Sequence, residues 1–358
     1  MPRRQAAAFL RFVLLLSSPT VLLADYPIVS CRREYRRSSS ESILSGLCQH
    51  QDILQSRNQT KSFCGRTETT RSKCWEEIKR QESQPCCTGV AGNTQSKRNV
   101  ADALRIASGS RPLVGYMHVG IPDSASKHGS SSLKIYGEQM ALLQTCGLAM
   151  ASNFIFVGLS FSRRGVRSVD NATAAKLVDS LKQWAPKNVR FQRVDDVLDA
   201  DSRSYEAATL KVLHDDAVSG RVPSNAIIFY FHNKGGSGLN KGINVVLWRR
   251  YMEYHILENP QWCLRLLAKE SNAACGVDWA GNHYSGNFWW ATAGRIALRP
   301  PPDTSQEANY VSAEVWIGKG GRGQKSTRKQ EDCKFFSLCD SKFSLYKNPI
   351  YRHLYAPQ

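Results

Sequence analysis

The sequence predicts an α/β fold: a mostly parallel sheet with helices on both faces. From about residue 109, short apolar runs rich in β-branched and aromatic residues alternate with segments whose apolar residues recur at helical spacing. Strands that alternate with helices favour a parallel sheet. The strongest strand is residues 226–231, Ala-Ile-Ile-Phe-Tyr-Phe, and polar residues follow it directly. Ligands of such sheets bind beyond the carboxyl ends of the strands.

The other elements are predicted in chain order from the same periodicities. Before the strongest strand these are a strand at 113–119, a helix at 135–150, a strand at 154–157, a helix that opens at Asp170-Asn171 and ends before Pro186, a strand at 188–194 and a helix at 205–218. After it, Val245, Trp248, Met252 and Ile256 recur at helical spacing, which favours a core-facing stripe. Arg249 and Glu253 are four residues apart and could pair on the surface of that helix.

Residues 1–24 have the pattern of a secretory signal peptide. Basic residues precede a short apolar core, and Ala24 is a small residue at the expected cleavage site. A short signal-anchor on a lumenal membrane face is the alternative. Asn58 and Asn171 begin N-glycosylation triplets. We therefore expect the secretory pathway: the Golgi or ER lumen, or secretion.

A basic, cysteine-rich stretch, residues 25–108, follows as a stalk or accessory segment before a catalytic domain at 109–358. It lacks a long apolar period, so disulfides would have to stabilise it. Zinc binding by the cysteines is the rival interpretation, but the spacings between these cysteines along the chain are irregular and contain no Cys-x-x-Cys. Its six cysteines are Cys31, Cys48, Cys64, Cys74, Cys86 and Cys87.

Composition narrows the class of protein. With 42% hydrophobic residues the chain can build a large core, which excludes wholesale disorder, and no apolar run is long enough for a multispanning membrane protein. The formal charge of +18 favours anionic partners such as a membrane surface, acidic glycans or nucleotide phosphates. Nucleic acid shares that chemistry, but the signal pattern argues against it as a partner.

Polar and cationic residues lie where the 226–231 strand ends. His232, Lys234 and Gly235 open a glycine-rich stretch that could approach and neutralise a phosphate. An ordinary glycine-rich turn with a capping histidine is equally compatible with these residues. The stretch is not a Walker loop.

A second block of candidates combines aromatic and polar side chains. Six of the eight tryptophans fall between Trp248 and Trp316, and such rings suit either a core or stacking on sugars. Glu314 lies in an apolar run, where a carboxylate is costly unless paired; it is either a perturbed active-site acid or a satisfied core or edge-strand residue. The remaining candidates are Asp278, His283, Ser285, Asn287, Trp289 and Trp290.

Five motifs in this order resemble a family of glycosyltransferases known mainly from sequence. Tyr-x-His-x-Lys-Gly stands at 230–235, Trp-Arg-x-x-Met-Glu at 248–253, Cys-Gly-x-x-Trp at 275–279, His-x-Ser-Gly-Asn-Phe-Trp-Trp-Ala at 283–291 and Glu-x-Trp-Ile-Gly at 314–318. The resemblance covers residues 226–318 and leaves out the cysteine-rich segment. It implies a GT-A-like, Rossmann-related fold and a hexosyltransferase-like enzyme that takes a sugar from a nucleotide-sugar donor to a glycan or glycoprotein.

The resemblance also implies residue roles. Glu314 would be the general base that takes the proton of the acceptor hydroxyl. His232, Lys234, Gly235 and Asp278 would bind the donor, with His232 and Lys234 at its diphosphate. Asp278, His283 and Asn287 would hydrogen-bond sugar hydroxyls, with Ser285 beside them, and Trp289 or Trp290 would stack on a sugar face.

Two departures bear on the donor site. Many GT-A enzymes hold Mn²⁺ or Mg²⁺ through Asp-x-Asp, and Asp199-Ala200-Asp201 matches literally, but it also fits a helix cap, so metal dependence stays open. Asn233 and Asp278 replace the threonine and asparagine that are commoner in the family.

Three other functions remain open. A non-catalytic, lectin-like carbohydrate-binding protein would use the same aromatic and polar residues. A glycosidase would need two carboxylates flanking one bond, for which Glu314 and Asp278 are the candidates. A nucleic-acid binder would rely on the net charge alone.

Overall fold

The computed structural model describes residues 94–121, 127–163, 166–167, 170–195, 205–235, 243–280, 282–305, 310–318 and 334–338. The signal segment, the six cysteines between Cys31 and Cys87, the acceptor Asn58 and the Asp199 and Asp201 pair lie outside these residues. Asn171 is the first residue of a helix.

The described residues form an α/β structure around a seven-stranded mixed sheet. The strands are β1 (Leu113–Gly120), β2 (Phe154–Ser160), β3 (Ser162–Arg163), β4 (Val166–Arg167), β5 (Val189–Arg193), β6 (Ile227–His232), β7 (Ala273–Gly276), β8 (Trp289–Thr292) and β9 (Lys334–Ser337). The strand order of the sheet is β5-β2-β1-β6-β8-β7-β9, and every strand runs in one direction except β8, which is antiparallel to both β6 and β7. A two-stranded ribbon, β3 and β4, is separate from this sheet.

Helices cover both faces of the sheet. The helices are α1 (Thr94–Ala107), α2 (Lys127–Thr145), α3 (Leu148–Ala151), α4 (Asn171–Lys182), α5 (Tyr205–Val218), α6 (Ile243–Glu253), α7 (Gln261–Leu267), α8 (Ala293–Ala297) and α9 (Tyr310–Glu314), with a π-helical turn at Tyr254–Glu258 after α6. On one face Met117 of β1 belongs to a core cluster with α1, α2, α4, α6 and α7, whereas Tyr116 belongs to a second cluster with α5, α8 and α9. Alternate strand residues point to opposite faces, so β1 contributes to both cores.

The predicted α/β alternation is confirmed, with one local difference. The single helix expected at 135–150 is two helices, α2 and α3, because Gly147 adopts a φ of 70° between them. Asp170 caps α4 as expected: its carboxylate accepts a hydrogen bond of 2.8 Å from the Thr173 N–H.

The packed core includes residues that precede 109. Ala101 and Leu104 of α1 are fully buried in the same core cluster as β1, and α1 contacts α3 and α7. α1 therefore belongs to the packed core, although its residues lie within 25–108, the segment expected to be an accessory region.

A disulfide joins Cys263 of α7 to Cys275 of β7, and both residues are fully buried. It ties a helix of one sheet face to the strand that leads into residues 276–288. Within the described ranges, no helix has the length and apolar content that a membrane span needs.

Candidate functional site at the carboxyl edge of the sheet

The order in which the chain adds strands to the sheet reverses beside β1. β2 and β5 lie on one side of β1, and β6 lies on the other, so β1 and β6 flank a topological switch point. Their carboxyl ends carry His118 and His232, which are register partners. The Asn233 side chain joins the two strands, since its Oδ1 accepts from the Gly120 N–H at 3.1 Å and its Nδ2 donates to the Gly120 carbonyl at 3.0 Å. Crevices of this kind are the usual ligand sites of open α/β sheets.

The reversed strand β8 brings the second predicted block to the same edge. β8 begins at Trp289, opposite Tyr230 of β6 and Gly276 of β7, so residues 277–288 lie beyond the carboxyl ends of both neighbours. Asp278 and Asn287 have positive φ values of 56° and 59°. Residues held in this region of backbone space are uncommon and cluster at functional sites.

Lys234 and Glu314 face each other at this edge. Lys234 Nζ lies 3.5 Å from Glu314 Oε1, and the two side chains are 15% and 18% exposed. The same ammonium lies 4.1 Å from the ring centroid of Trp248, within cation–π range. A carboxylate, a cation and an aromatic ring are thus gathered in one half-buried spot.

Buried contacts fix the segment that carries Glu314. The guanidinium of Arg299 donates to the Trp316 carbonyl at 2.7 Å, and that of Arg295 donates to the Ile317 carbonyl at 2.8 Å. Gly318 packs so closely on the Asn282 carbonyl that a Cβ there would overlap it. The 314–318 motif is therefore held against the 275–291 motifs by direct contact.

Glu206, in the first turn of α5, is the centre of a buried polar network that the sequence analysis missed. Its carboxylate lies 3.0 Å from His232 Nδ1, accepts from Asn287 Nδ2 at 2.7 Å, and accepts from the Tyr230 hydroxyl at 3.4 Å. His232 Nε2 lies 3.0 Å from the Gly286 carbonyl. Both ring nitrogens of His232 thus face oxygen atoms of the protein.

The charges of this network act on one another. Burial raises the pKa of the Glu206 carboxyl, but His232, His118 and Lys234 together lower it more, and the pKa is about 2. Burial lowers the pKa of His118 to about 4, although the Glu206 charge acts in the opposite direction. At neutral pH, Glu206 is therefore a carboxylate and His118 a neutral imidazole.

Four of the predicted ligand-binding residues have other roles. His232 is 7% exposed and its ring nitrogens face Glu206 and Gly286, so it does not present a free donor to a diphosphate. Asn287 is fully buried between Glu206 and the Trp289 N–H. Trp289 and Trp290 are also fully buried, in the two opposite cores, and neither ring has a face on which a sugar could stack.

The other candidates keep some access to solvent. His283 and Ser285 are half-buried, and Gly235 is half-buried with a φ of 88°. Asp278 is 9% exposed, and its carbonyl accepts from the Ser285 N–H at 3.1 Å. His283, Ser285 and Gly235, together with Lys234, Glu314 and Trp248, form the accessible part of the edge, whereas Asp278 is buried.

The expected Arg249–Glu253 pair forms, but in the interior rather than on a helix surface. Glu253 is fully buried; its Oε1 lies 3.4 Å from Arg249 Nε and its Oε2 accepts from Arg250 Nη1 at 2.9 Å. Both arginines also reach Glu138 of α2, and Arg249 donates to the Lys234 carbonyl at 3.3 Å. This cluster anchors the backbone of Lys234 to α6 and α2.

His118 and Glu206 were missed because their roles depend on neighbours far along the chain. His118 stands in an apolar strand and Glu206 opens an ordinary helix. The one signal in the sequence was a histidine near the carboxyl end of a predicted buried strand; its pairing with His232 is seen only in the structure. For metals, no group of three His, Cys, Asp or Glu in the described ranges could hold an ion.

The chain was compared with protein-family models, with curated proteins and with solved structures, and none of the three comparisons gave a match.

Proposed function

We propose that this protein is a glycosyltransferase that moves a sugar from a nucleotide-sugar donor to a hydroxyl of a glycan or glycoprotein acceptor. The observation that carries the proposal is the Lys234–Glu314 pair, 3.5 Å apart and partly accessible, at the switch point of the sheet. All five motifs that resemble the transferase family contribute residues to this edge or to its buried supports. That convergence supports a common site.

The reaction needs a base and a cation, and the pair supplies both. Glu314 takes the proton of the acceptor hydroxyl while that oxygen bonds the anomeric carbon of the sugar. The bond from the anomeric carbon to the phosphate oxygen breaks, and the nucleoside diphosphate leaves with the electron pair. Lys234 has a flexible stem, so its ammonium can turn from Glu314 to the diphosphate and stabilise the developing charge.

The accessible residues suit sugar binding. His283 and Ser285 offer hydrogen-bonding groups to sugar hydroxyls, and Trp248, half-buried beside Lys234, replaces Trp289 and Trp290 as the ring for stacking. No step of this reaction is assigned to a metal ion, since Asp199 and Asp201 lie outside the described residues.

The test is a turnover screen of the full chain secreted from eukaryotic cells. UDP- and GDP-sugars, with and without manganese, are assayed for nucleotide release in the presence of glycan acceptors. Glu314→Gln should abolish release while donor binding is kept. Glu270→Gln is the matched control, because Glu270 forms a comparable pair with Lys334, at 2.7 Å, outside the candidate site; it should leave turnover unchanged.

Retained turnover in Glu314→Gln would remove the base assignment. Binding of simple glycans, with no response to any sugar nucleotide, would instead indicate a non-catalytic carbohydrate-binding protein.

A further inference from the structure

Among the described residues, a space without a side chain lies at the end of β1, on the sheet face that α5 covers. His118 and Gly120 of β1 point to this face, and their register partners on β2 are Gly158 and Ser160. Thr209 of α5 occupies the space at Gly158. At Gly120, the nearest atom in the described residues to the position of a Cβ is His118 Nε2, at 3.6 Å. We call this space the Gly120 notch; Gly120 itself is partly exposed, so the notch reaches the surface.

Two polar groups of the described residues flank the notch. His118 is 3% exposed; its Nδ1 lies 3.0 Å from Thr209 Oγ1, and its Nε2 lies 3.6 Å from the position of a Cβ at Gly120. Ser160 is 1% exposed, and its Oγ has no hydrogen-bond partner in the described part of the chain. Buried polar groups are almost always satisfied, because an unmade hydrogen bond leaves the desolvation cost in place. An unpartnered buried hydroxyl and a histidine nitrogen beside one notch point to a ligand that completes the hydroxyl.

The chemistry of the two groups selects the ligand. His118 is a neutral imidazole at neutral pH and Ser160 is a neutral hydroxyl, so neither of these two groups is a cation that would attract a phosphate. A neutral imidazole nitrogen and a hydroxyl both match a group that donates and accepts at once. Hydroxyl groups of sugars are of this kind.

We propose that the Gly120 notch binds a sugar hydroxyl, which is held between His118 Nε2 and Ser160 Oγ. The ligand class rests on the proposed function, in which the hydroxyl belongs either to the ribose of the donor nucleotide or to a pyranose. The notch is thus a second contact region at the switch point, beside the Lys234–Glu314 pair.

Gly120→Ala tests the notch with little risk to the fold. Its Cβ would meet His118 Nε2 at 3.6 Å, an ordinary van der Waals contact, and would fill the space that the hydroxyl needs. Gly137→Ala is the matched control, because its nearest neighbour, the Trp184 ring, is also at 3.6 Å and lies on α2, away from the notch. Both variants should unfold at or slightly above the wild-type temperature.

Binding is read from the ¹⁵N shifts of His118 in the full chain labelled at histidine. The probes are uridine and guanosine, free glucose and galactose, and inorganic pyrophosphate. We expect a hydroxyl-bearing probe to shift His118, with affinity at least tenfold weaker in Gly120→Ala and unchanged in Gly137→Ala. Pyrophosphate should leave the His118 signals in place. Nucleosides and monosaccharides distinguish the two sources of the hydroxyl.

Ser160→Ala gives an independent readout. Removing an unpartnered buried hydroxyl should keep or raise the melting temperature of the free protein while it weakens binding of the same probe several-fold. A merely structural serine would not separate these two effects.

The proposal is overturned if no hydroxyl-bearing probe shifts His118, or if Gly120→Ala binds that probe as wild type does. The Glu314→Gln turnover assay remains decisive for the transferase in either case. Conversely, hydroxyl binding at His118 without turnover of any sugar nucleotide would keep the notch and remove the transferase.

Discussion

His232 illustrates how much of a residue's role is invisible in its own neighbourhood. Its position after an apolar strand and before glycines predicted a phosphate contact, yet its nitrogens face Glu206 and Gly286, which are far away in the chain. Lys234, two residues on, does lie at the accessible edge. Sequence could identify the strand end as the site, but not which of the polar side chains there faces inward.

Buried histidines make the protein sensitive to acid. Burial lowers the pKa of His118 to about 4 and that of His255 to about 3, below the ordinary value of 6.5 that both regain on unfolding. Between pH 6.5 and about 4 the unfolded chain therefore binds more protons, and the free energy of unfolding falls as the pH is lowered. Each histidine contributes up to about 1.4 kcal/mol per pH unit.

The measurement is urea unfolding from pH 7.5 to 4.5. His255→Phe, which keeps an aromatic ring against Tyr251 and Tyr254, should flatten this dependence. Protonation of Glu206 lowers the free energy of unfolding further at lower pH, between its unfolded pKa of 4.5 and its folded pKa of about 2. An unfolding free energy that is constant from pH 6.5 to 4.5 would contradict the account.

At the level of elements, the sequence predicts the strands and helices between residues 113 and 232 because their signals are local, whereas β7, β8 and β9 were not predicted. The helix at 205–218 and the strand at 113–119 match α5 and β1 to within a residue. The sheet order and the reversal of β8 could not be predicted, since they depend on pairings between distant segments. The burial of Trp289 and Trp290 follows from those pairings, because a central strand has both of its faces covered.

The 314–318 segment gives an element-scale prediction. Gly318→Ala should lower stability by about 1–3 kcal/mol, the usual cost of overpacking, because a Cβ would overlap the Asn282 carbonyl and the Trp279 ring. The same shift should displace Glu314 and reduce turnover. Thermal unfolding and nucleotide release measure the two effects, with Gly137→Ala as the control for an added methyl group; a Gly318→Ala protein that matches the wild type in both would contradict the contact.

At the scale of the whole molecule, the Cys263–Cys275 disulfide is a covalent link between a helix layer and the sheet. Such bonds persist in oxidising compartments, which is compatible with the expected secretory route. Replacing both cysteines by alanine should lower the free energy of unfolding by about 2–4 kcal/mol.

The burial of Cys263 and Cys275 gives a second prediction for the same disulfide. Because both cysteines are fully buried, a thiol reductant should leave this bond intact in the folded protein below its melting temperature and should break it only in denaturant. Thiol labelling with and without urea makes the comparison. Rapid reduction under native conditions would show that the bond is exposed.

The central position of β1 bears on how the chain is made. β1 is complete at Gly120, but its second neighbour, β6, ends at His232, more than a hundred residues later. Until the ribosome has released that stretch, β1 keeps one edge unpaired, and unpaired edges invite association with other chains. Nascent or truncated products that stop before β6 would therefore bind chaperones. A fragment of this protein can pair both edges of β1 only if it extends through His232, the last residue of β6.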